Sequence, residues 1–267
     1  MKKFKLGVIG AGFMSSAIIN GAISTNVLNS EQIIVSDINQ SSLNKMAELG
    51  VCTTLNNCEV ANQSEFVLFA VKPQSLASVL DSIKNCNVEK AISIMAGVKK
   101  EKIKNILNGV KVARCMPNTP CSIGKGAVGL DLSDFTVEDD KTFVKNLLSS
   151  LANVVLVGED KLNAVTGVSG SSPAYFYLFL KGIIESGVEQ GLSYEESKIL
   201  ATSTMIGAGN MVLKNSDKTL DDLIQAVCSK GGTTIEAVNV YNEYGLGDIT
   251  RKAVDACVKR ARELEEL

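Results

Sequence analysis

The residues able to do chemistry fall in a few short segments. The first is Val8-Ile9-Gly10-Ala11-Gly12-Phe13-Met14-Ser15. An apolar run, Phe4 to Ile9, leads into it, and a helical pattern from Ser15 to Ile23 leaves it. Strand, glycine turn and helix in that order make a G-x-G-x-x-small stretch readable as a dinucleotide-binding fingerprint. Gly10 permits the tight turn, Gly12 lets a pyrophosphate approach the backbone, and Ser15 is small enough for the helix to pack near the strand. The free N–H groups at the helix start supply phosphate donors. The competing reading is an ordinary strand–helix turn.

The second segment is Ser229-Lys230-Gly231-Gly232-Thr233-Thr234, between two helical stretches. Consecutive glycines before a helix expose backbone N–H groups that can hold a carboxylate. Thr233 and Thr234 add hydroxyl donors. From the residues alone, an interhelical loop with a threonine as helix cap reads equally well. The four prolines lie in Val71-Lys72-Pro73, Met116-Pro117-Asn118-Thr119-Pro120 and Ser171-Ser172-Pro173-Ala174-Tyr175. Proline fixes backbone shape, so these read as rigid turns that build a site. Pro173 also suits a first helical position after Ser172.

Some chemistry is excluded. The chain has no histidine, which removes Cys-His and Ser-His-Asp catalysis and every His-ligated metal site. Its seven cysteines (52, 58, 86, 115, 121, 228 and 257) include no C-x-x-C pair, so a cysteine-only zinc site is not expected. A reduced, cytoplasmic protein with structural thiols is the plain reading. The net charge of −2 and the absence of a basic run argue against nucleic acid and anionic membrane surfaces. Met1-Lys2-Lys3 before an apolar stretch resembles a signal peptide, but the strand–turn–helix pattern accounts for the same residues better. No stretch approaches the roughly 18 apolar residues of a membrane span.

The elements that must position these segments follow in order. Strands are expected at Phe4–Ile9, Gln32–Ser36, Val51–Thr53, Phe66–Val71, Ala91–Met95, Lys111–Cys115, Gly126–Leu130 and Val154–Val157. Helices are expected at Met14–Thr25, Gln40–Leu49, Leu76–Ile83, Lys100–Leu107 and Glu138–Leu148. This alternation predicts a doubly wound, mostly parallel α/β sheet of the Rossmann type. The Gly, Pro and Asn clusters fall after the C-terminal ends of strands, the edge where such sheets bind ligands. Asp37, ending the second strand, is placed to bind ribose hydroxyls, and its carboxylate would oppose a 2′-phosphate, although Ser36 beside it could instead hydrogen-bond a phosphate; alternatively Asp37 caps the next helix.

After Asp160 the strand signal fades. Helices are expected at Lys161–Val168, Pro173–Gln190, Tyr194–Leu213, Leu220–Val227, Thr234–Tyr244 and Asp248–Leu264. The second and third are apolar nearly all round and require burial on every side. A homodimer with interleaved helices satisfies that, as would cover from the first domain. Residues 1–160 are thus expected to form a dinucleotide-binding domain, and 161–267 an all-helical dimerisation and substrate domain.

Taken together, these segments resemble pyrroline-5-carboxylate reductase, the last enzyme of proline biosynthesis. The resemblance runs through the glycine turn, Ala70-Val71-Lys72-Pro73, Met116-Pro117-Asn118-Thr119-Pro120, Gly170-Ser171-Ser172-Pro173-Ala174-Tyr175 and Gly231-Gly232-Thr233-Thr234-Ile235. It implies that Ile9, Gly10, Ala11, Gly12, Phe13 and Met14 line the pyrophosphate of NADPH or NADH. Ser36 would sit at the adenosine ribose with Asn57 nearby. Ala70, Val71, Lys72, Pro73, Ala96 and Gly97 would border the nicotinamide, and Asn118 would face the ring edge. Ser229, Gly231, Gly232, Thr233 and Thr234 would bind the substrate carboxylate, with Thr234 on the ring nitrogen. A homodimer, possible within a ring of dimers, is also implied. One departure is Lys230, where the family usually has proline.

A cyclic imine is already electrophilic, and the product nitrogen keeps its proton, so such a site needs orientation more than a strong acid or base. A chain without histidine fits that demand. Hydroxyacid dehydrogenases of similar build carry a lysine one turn before an asparagine on the first long helix of the second domain. Here that helix reads Pro173-Ala174-Tyr175-Phe176-Tyr177-Leu178, with Lys181 too late and no asparagine following. A sensor that binds the nucleotide without turnover is the non-enzyme alternative.

Overall fold

The computed structural model describes residues 2–266. Its contacts divide the chain into two units. One runs up to Pro173 and resumes from Cys257; the other is Ala174–Ala256. The division thus falls beyond the expected boundary at 160, and the end of the last helix returns to the first unit.

The first unit is built on one eight-stranded sheet. Its strands are β1 (Phe4–Ile9), β2 (Ile33–Ser36), β3 (Cys52–Thr54), β4 (Ser64–Phe69), β5 (Lys90–Ser93), β6 (Lys111–Met116), β7 (Gly126–Asp131) and β8 (Ala152–Leu156). Their order is β3-β2-β1-β4-β5-β6-β7-β8. Every pairing is parallel except β6 with β7. The order reverses between β1 and β4, which opens a crevice at their C-terminal ends.

The strands are apolar on both faces because helices cover both. Leu6, Val8, Phe66 and Leu68 face α1 (Phe13–Ser24), α2 (Gln40–Ala47) and α6 (Glu138–Ser149). Phe4, Ile9, Val67 and Phe69 face α3 (Asn57–Gln63), α4 (Leu76–Ile83) and α5 (Lys100–Lys104). Truncating the fully buried Leu68 to alanine would cost about 2–5 kcal/mol.

The register explains where expectation and structure differ. Phe4 pairs with Ser64 and Phe66 with Lys90, so β4 and β5 begin before their apolar runs and end sooner, at Phe69 and Ser93. The segment after Asn56 is helical. Asn56 accepts from the Cys58 N–H at 2.9 Å and so starts α3. Cys58 is joined to Cys86 in a disulfide with a Cα–Cα distance of 6.0 Å. That corrects the reading of seven reduced thiols, because α3 brings Cys58 to the turn after α4. The other five cysteines are free. Burial pushes the Cys115 thiol up to about 12, so it stays protonated and structural.

After α7 (Leu162–Val165), residues Thr166–Gly170 form a wider π-helical turn. The second unit contains most of α8 (Ser172–Glu189), all of α9 (Tyr194–Lys214), α10 (Leu220–Val227) and α11 (Thr233–Glu243), and the start of α12 (Leu246–Glu266). Ser197 packs α9 on α8 by donating to the Ile184 carbonyl at 2.9 Å, and its hydroxyl lies against Gly187, where a Cβ would not fit. Both long helices leave large apolar side chains in the open: Leu178 and Leu213 are each 73% exposed, Ile199 62%. Large apolar side chains exposed in this number mark an interaction surface.

Candidate active site

The crevice starts at Gly10. Its φ is +106°, and an added Cβ would stand 2.6 Å from the Ala70 carbonyl oxygen. Glycine is therefore required by both conformation and space. Two backbone bonds fix the turn between its neighbours: Gly10 N–H donates to the Ser36 carbonyl at 2.8 Å, and Ala70 N–H to the Ile9 carbonyl at 2.9 Å. The glycine turn, the end of β2 and the start of Ala70–Pro73 are thereby held together.

Gly12 is different. Its φ of −85° suits any residue, and nothing lies within 4 Å of the place its Cβ would take. It caps α1 without a side-chain hydrogen bond, and the first turn of α1 carries no acid. The protein itself gives no reason for glycine here, whereas a pyrophosphate does: it needs open space against unpaired N–H groups. On that observation the turn fits a dinucleotide. Ser15 is buried and donates to the Gly12 carbonyl at 2.9 Å, which lets α1 pack closely.

Asp37 faces this turn. One carboxylate oxygen accepts from the Ala11 N–H at 2.6 Å and the other from the Asn39 N–H at 2.8 Å. It does not cap α2; Asn39 does, accepting from the Ser41 N–H at 2.9 Å. Ser36 departs from its expected place at a ribose. It is fully buried, and its hydroxyl donates to Asn57 at 2.8 Å. Asn57 in turn donates to Ser82 at 3.1 Å. Ser36 and Asn57 do meet, but as a brace between β2, α3 and α4.

Asn118 is likewise committed inside the protein. Its amide donates to the Ser169 carbonyl at 3.1 Å, and its side-chain oxygen accepts from the Ala127 N–H at 3.0 Å. It is 9% exposed. This corrects its expected place at a substrate ring: it ties the end of β6 to β7 and to the π-helical turn. Ala96 and Gly97 form the turn after β5, with Gly97 at φ +68°.

In the second unit, Gly231 adopts φ +70° and Gly232 caps α11. The cap is therefore glycine, not a threonine. Thr233 and Thr234 occupy the first two helical positions, where N–H groups lack intrahelical acceptors. Ser229 lies against Gly232, leaving no room for a Cβ there. Lys230 is exposed. The loop thus offers backbone donors, hydroxyls and one cation in a stretch fit for an anion.

A doubly wound sheet with an open glycine turn at its switch point, followed by a helical unit, defines a two-part nicotinamide-dependent oxidoreductase. Residues 159–264 match the family model described as pyrroline-5-carboxylate reductase dimerisation, and residues 5–97 match that of NADP oxidoreductase, coenzyme F420-dependent. The chain belongs to the pyrroline-5-carboxylate reductase family. It is 36% identical to the pyrroline-5-carboxylate reductase of Haemophilus influenzae over 98% of both chains, and 33% identical to that of Pisum sativum over 98% of this chain and 96% of the relative. Among solved structures, a pyrroline-5-carboxylate reductase from Coxiella burnetii superposes with a TM-score of 0.90 at 31% identity, covering 98% of this chain and 99% of the other. The Plasmodium falciparum pyrroline carboxylate reductase with NADP bound gives 0.88 at 29% identity, covering 99% of each.

Proposed function

We propose that the chain reduces 1-pyrroline-5-carboxylate to L-proline with hydride from NADPH or NADH, the last step of proline biosynthesis. Family membership over the whole chain carries this reading. Ile9, Gly10, Ala11, Gly12, Phe13 and Met14 hold the pyrophosphate, chiefly through the N–H groups that open α1. Ala70, Val71, Lys72 and Pro73, with Ala96 and Gly97, border the nicotinamide. Bound there, the reduced cofactor supplies the hydride that saturates the imine carbon.

The loop of Ser229, Gly231, Gly232 and Thr233 binds the substrate carboxylate with backbone N–H groups, and Lys230 adds positive charge. The Thr234 hydroxyl orients the ring nitrogen and its proton. No strong base is required, since the product amine retains its proton. Asp37 favours NADH: its carboxylate suits ribose hydroxyls and repels a 2′-phosphate, and the stretch from Ser36 to Asn44 contains no lysine or arginine. The apolar faces of α8 and α9 pair two copies into a homodimer, which can assemble further into a ring of dimers. No described helix is long and apolar enough to cross a membrane. The reading places the enzyme in the cytoplasm, where reduced nicotinamide cofactor is supplied.

Oxidation of NADH or NADPH that depends on added pyrroline-5-carboxylate, with proline as product, tests the assignment. Cofactor binding without oxidation would mark a sensor instead.

A further inference from the structure

The last turn of α12 closes over the turn that follows β5. A Cβ on Gly97 would stand 2.8 Å from Leu264 Cβ and 3.3 Å from the Leu264 carbonyl oxygen. Next to it, Glu265 pairs with Arg114 of β6 at 2.8 Å and with Lys99 at 3.7 Å. The Glu265 and Arg114 side chains are only 8% and 4% exposed. Burial raises the Glu265 carboxyl, but hydrogen bonds from Asn163 and Arg114 outweigh it and hold the group below its ordinary value. Arg114 also reaches Glu159 at 3.3 Å, and Glu159 accepts from the Lys100 N–H at 2.8 Å, at the start of α5. Two carboxylates and one leucine therefore fasten Ala96–Lys100 from outside the sheet.

We infer that Glu265, with Leu264, is a positioning residue for hydride transfer: the chain's C-terminal turn sets the shape of the Ala96-Gly97 turn through Arg114 and Lys99. The inference rests on the reading that Ala96 and Gly97 border the nicotinamide. Three observations support a positioning role over plain stability. The contact falls on a left-handed glycine, where a side chain is excluded. The ion pair is desolvated, so its geometry is restrictive. And the glycine turn at Gly10–Met14 lies outside the network, which separates the chemistry end of the cofactor from its anchoring end.

The test is Glu265→Gln in the full-length protein. The variant is expected to bind NADH within about twofold of wild type, because the pyrophosphate anchor is untouched. Its kcat is expected to fall on the order of tenfold, with a larger primary isotope effect from 4-deuterated NADH, as the reacting atoms lose alignment. The emission of bound NADH, read without substrate, is expected to shift toward that of free NADH. Unchanged kcat, isotope effect and emission would overturn the inference, as would losses that vanish once scaled to the folded fraction. If Glu265→Gln does not fold, Lys99→Met removes a link from Glu265 to the turn at a side chain that is 56% exposed and must show the same pattern in weaker form; wild-type behaviour there overturns the inference equally. A wild type that never oxidises NADH with pyrroline-5-carboxylate counts against the proposed activity, while the emission shift still judges Glu265.

Discussion

The Asp37 carboxylate accepts a hydrogen bond from the Ala11 backbone N–H at 2.6 Å. The bond joins the end of β2 to the glycine turn and points an anion at the crevice. A second bond from the Asn39 N–H holds the carboxylate in place. A ribose can still donate to its remaining lone pairs, whereas a 2′-phosphate would meet a fixed negative charge.

Asp37→Ser should therefore shift nucleotide preference. The ratio of NADPH to NADH dissociation constants is expected to fall on the order of tenfold, or about 1.4 kcal/mol. Fluorescence titration of each reduced nucleotide measures it. An unchanged ratio would remove Asp37 from cofactor choice.

The two glycines of the turn should behave oppositely. Gly10→Ala meets the Ala70 carbonyl and a positive φ, so thermal unfolding should show a loss of about 1–3 kcal/mol or more. Gly12→Ala enters open space at an ordinary φ, so its unfolding midpoint should match wild type. Its dinucleotide affinity should nevertheless drop on the order of tenfold, since the methyl occupies phosphate space. A destabilised Gly12→Ala with normal affinity would contradict the cradle.

Asn118→Ala should act through stability. It leaves the Ala127 N–H and the Ser169 carbonyl without their partner, a cost of about 1–3 kcal/mol in urea unfolding. The substrate KM, measured at a temperature where the variant is folded, should stay within about twofold. A large rise in KM with unaltered stability would restore Asn118 to the substrate ring.

A buried charge cluster sets the pH limits. Lys100 pairs with Asp131 at 2.6 Å and Asp134 at 3.0 Å. Burial raises the Asp134 carboxyl, but bonds from Lys104, Lys100 and the Val112 N–H outweigh it and leave it below its ordinary 3.8. The stability it contributes is complete above that ordinary value and is lost as pH falls through the lower folded one. Burial lowers Lys100, but its two aspartates prevail and raise it above 10.5, so its contribution holds below 10.5 and disappears as pH climbs past the folded value. Lys100→Met leaves the buried Asp131 without its cation, while Asp134 keeps Lys104, and should cost about 3–5 kcal/mol near neutrality. The deficit should shrink as acid neutralises Asp134, whose charge Lys100 no longer offsets. Unfolding midpoints across pH check both limits.

The parallel sheet was legible because apolar runs such as Phe4–Ile9 end abruptly in glycine or proline, and because the glycine turn follows the first of them. The start of α3 carried a signal in Asn56 followed by Glu59, a cap-like spacing masked by the adjacent asparagines. The partners of polar side chains were hidden. Whether Ser36 faces a ribose or Asn57 depends on which side of β2 it takes, and its neighbours are two helices away in sequence. Asn118 meets Ser169 only because a π-helical turn presents that carbonyl, and such a turn has no periodic signature. The Cys58–Cys86 bridge, like the Glu265–Arg114 pair, depends on tertiary packing that spacing does not encode.

The most direct test follows nicotinamide absorbance with racemic pyrroline-5-carboxylate, using NADH and NADPH in parallel and wild type beside Thr234→Ala. Wild type is expected to show substrate-dependent oxidation that stops when one enantiomer is consumed, yields L-proline and runs better with NADH. Thr234→Ala should lower kcat by roughly ten- to a hundredfold while binding cofactor normally. No oxidation by wild type with either cofactor would contradict the account.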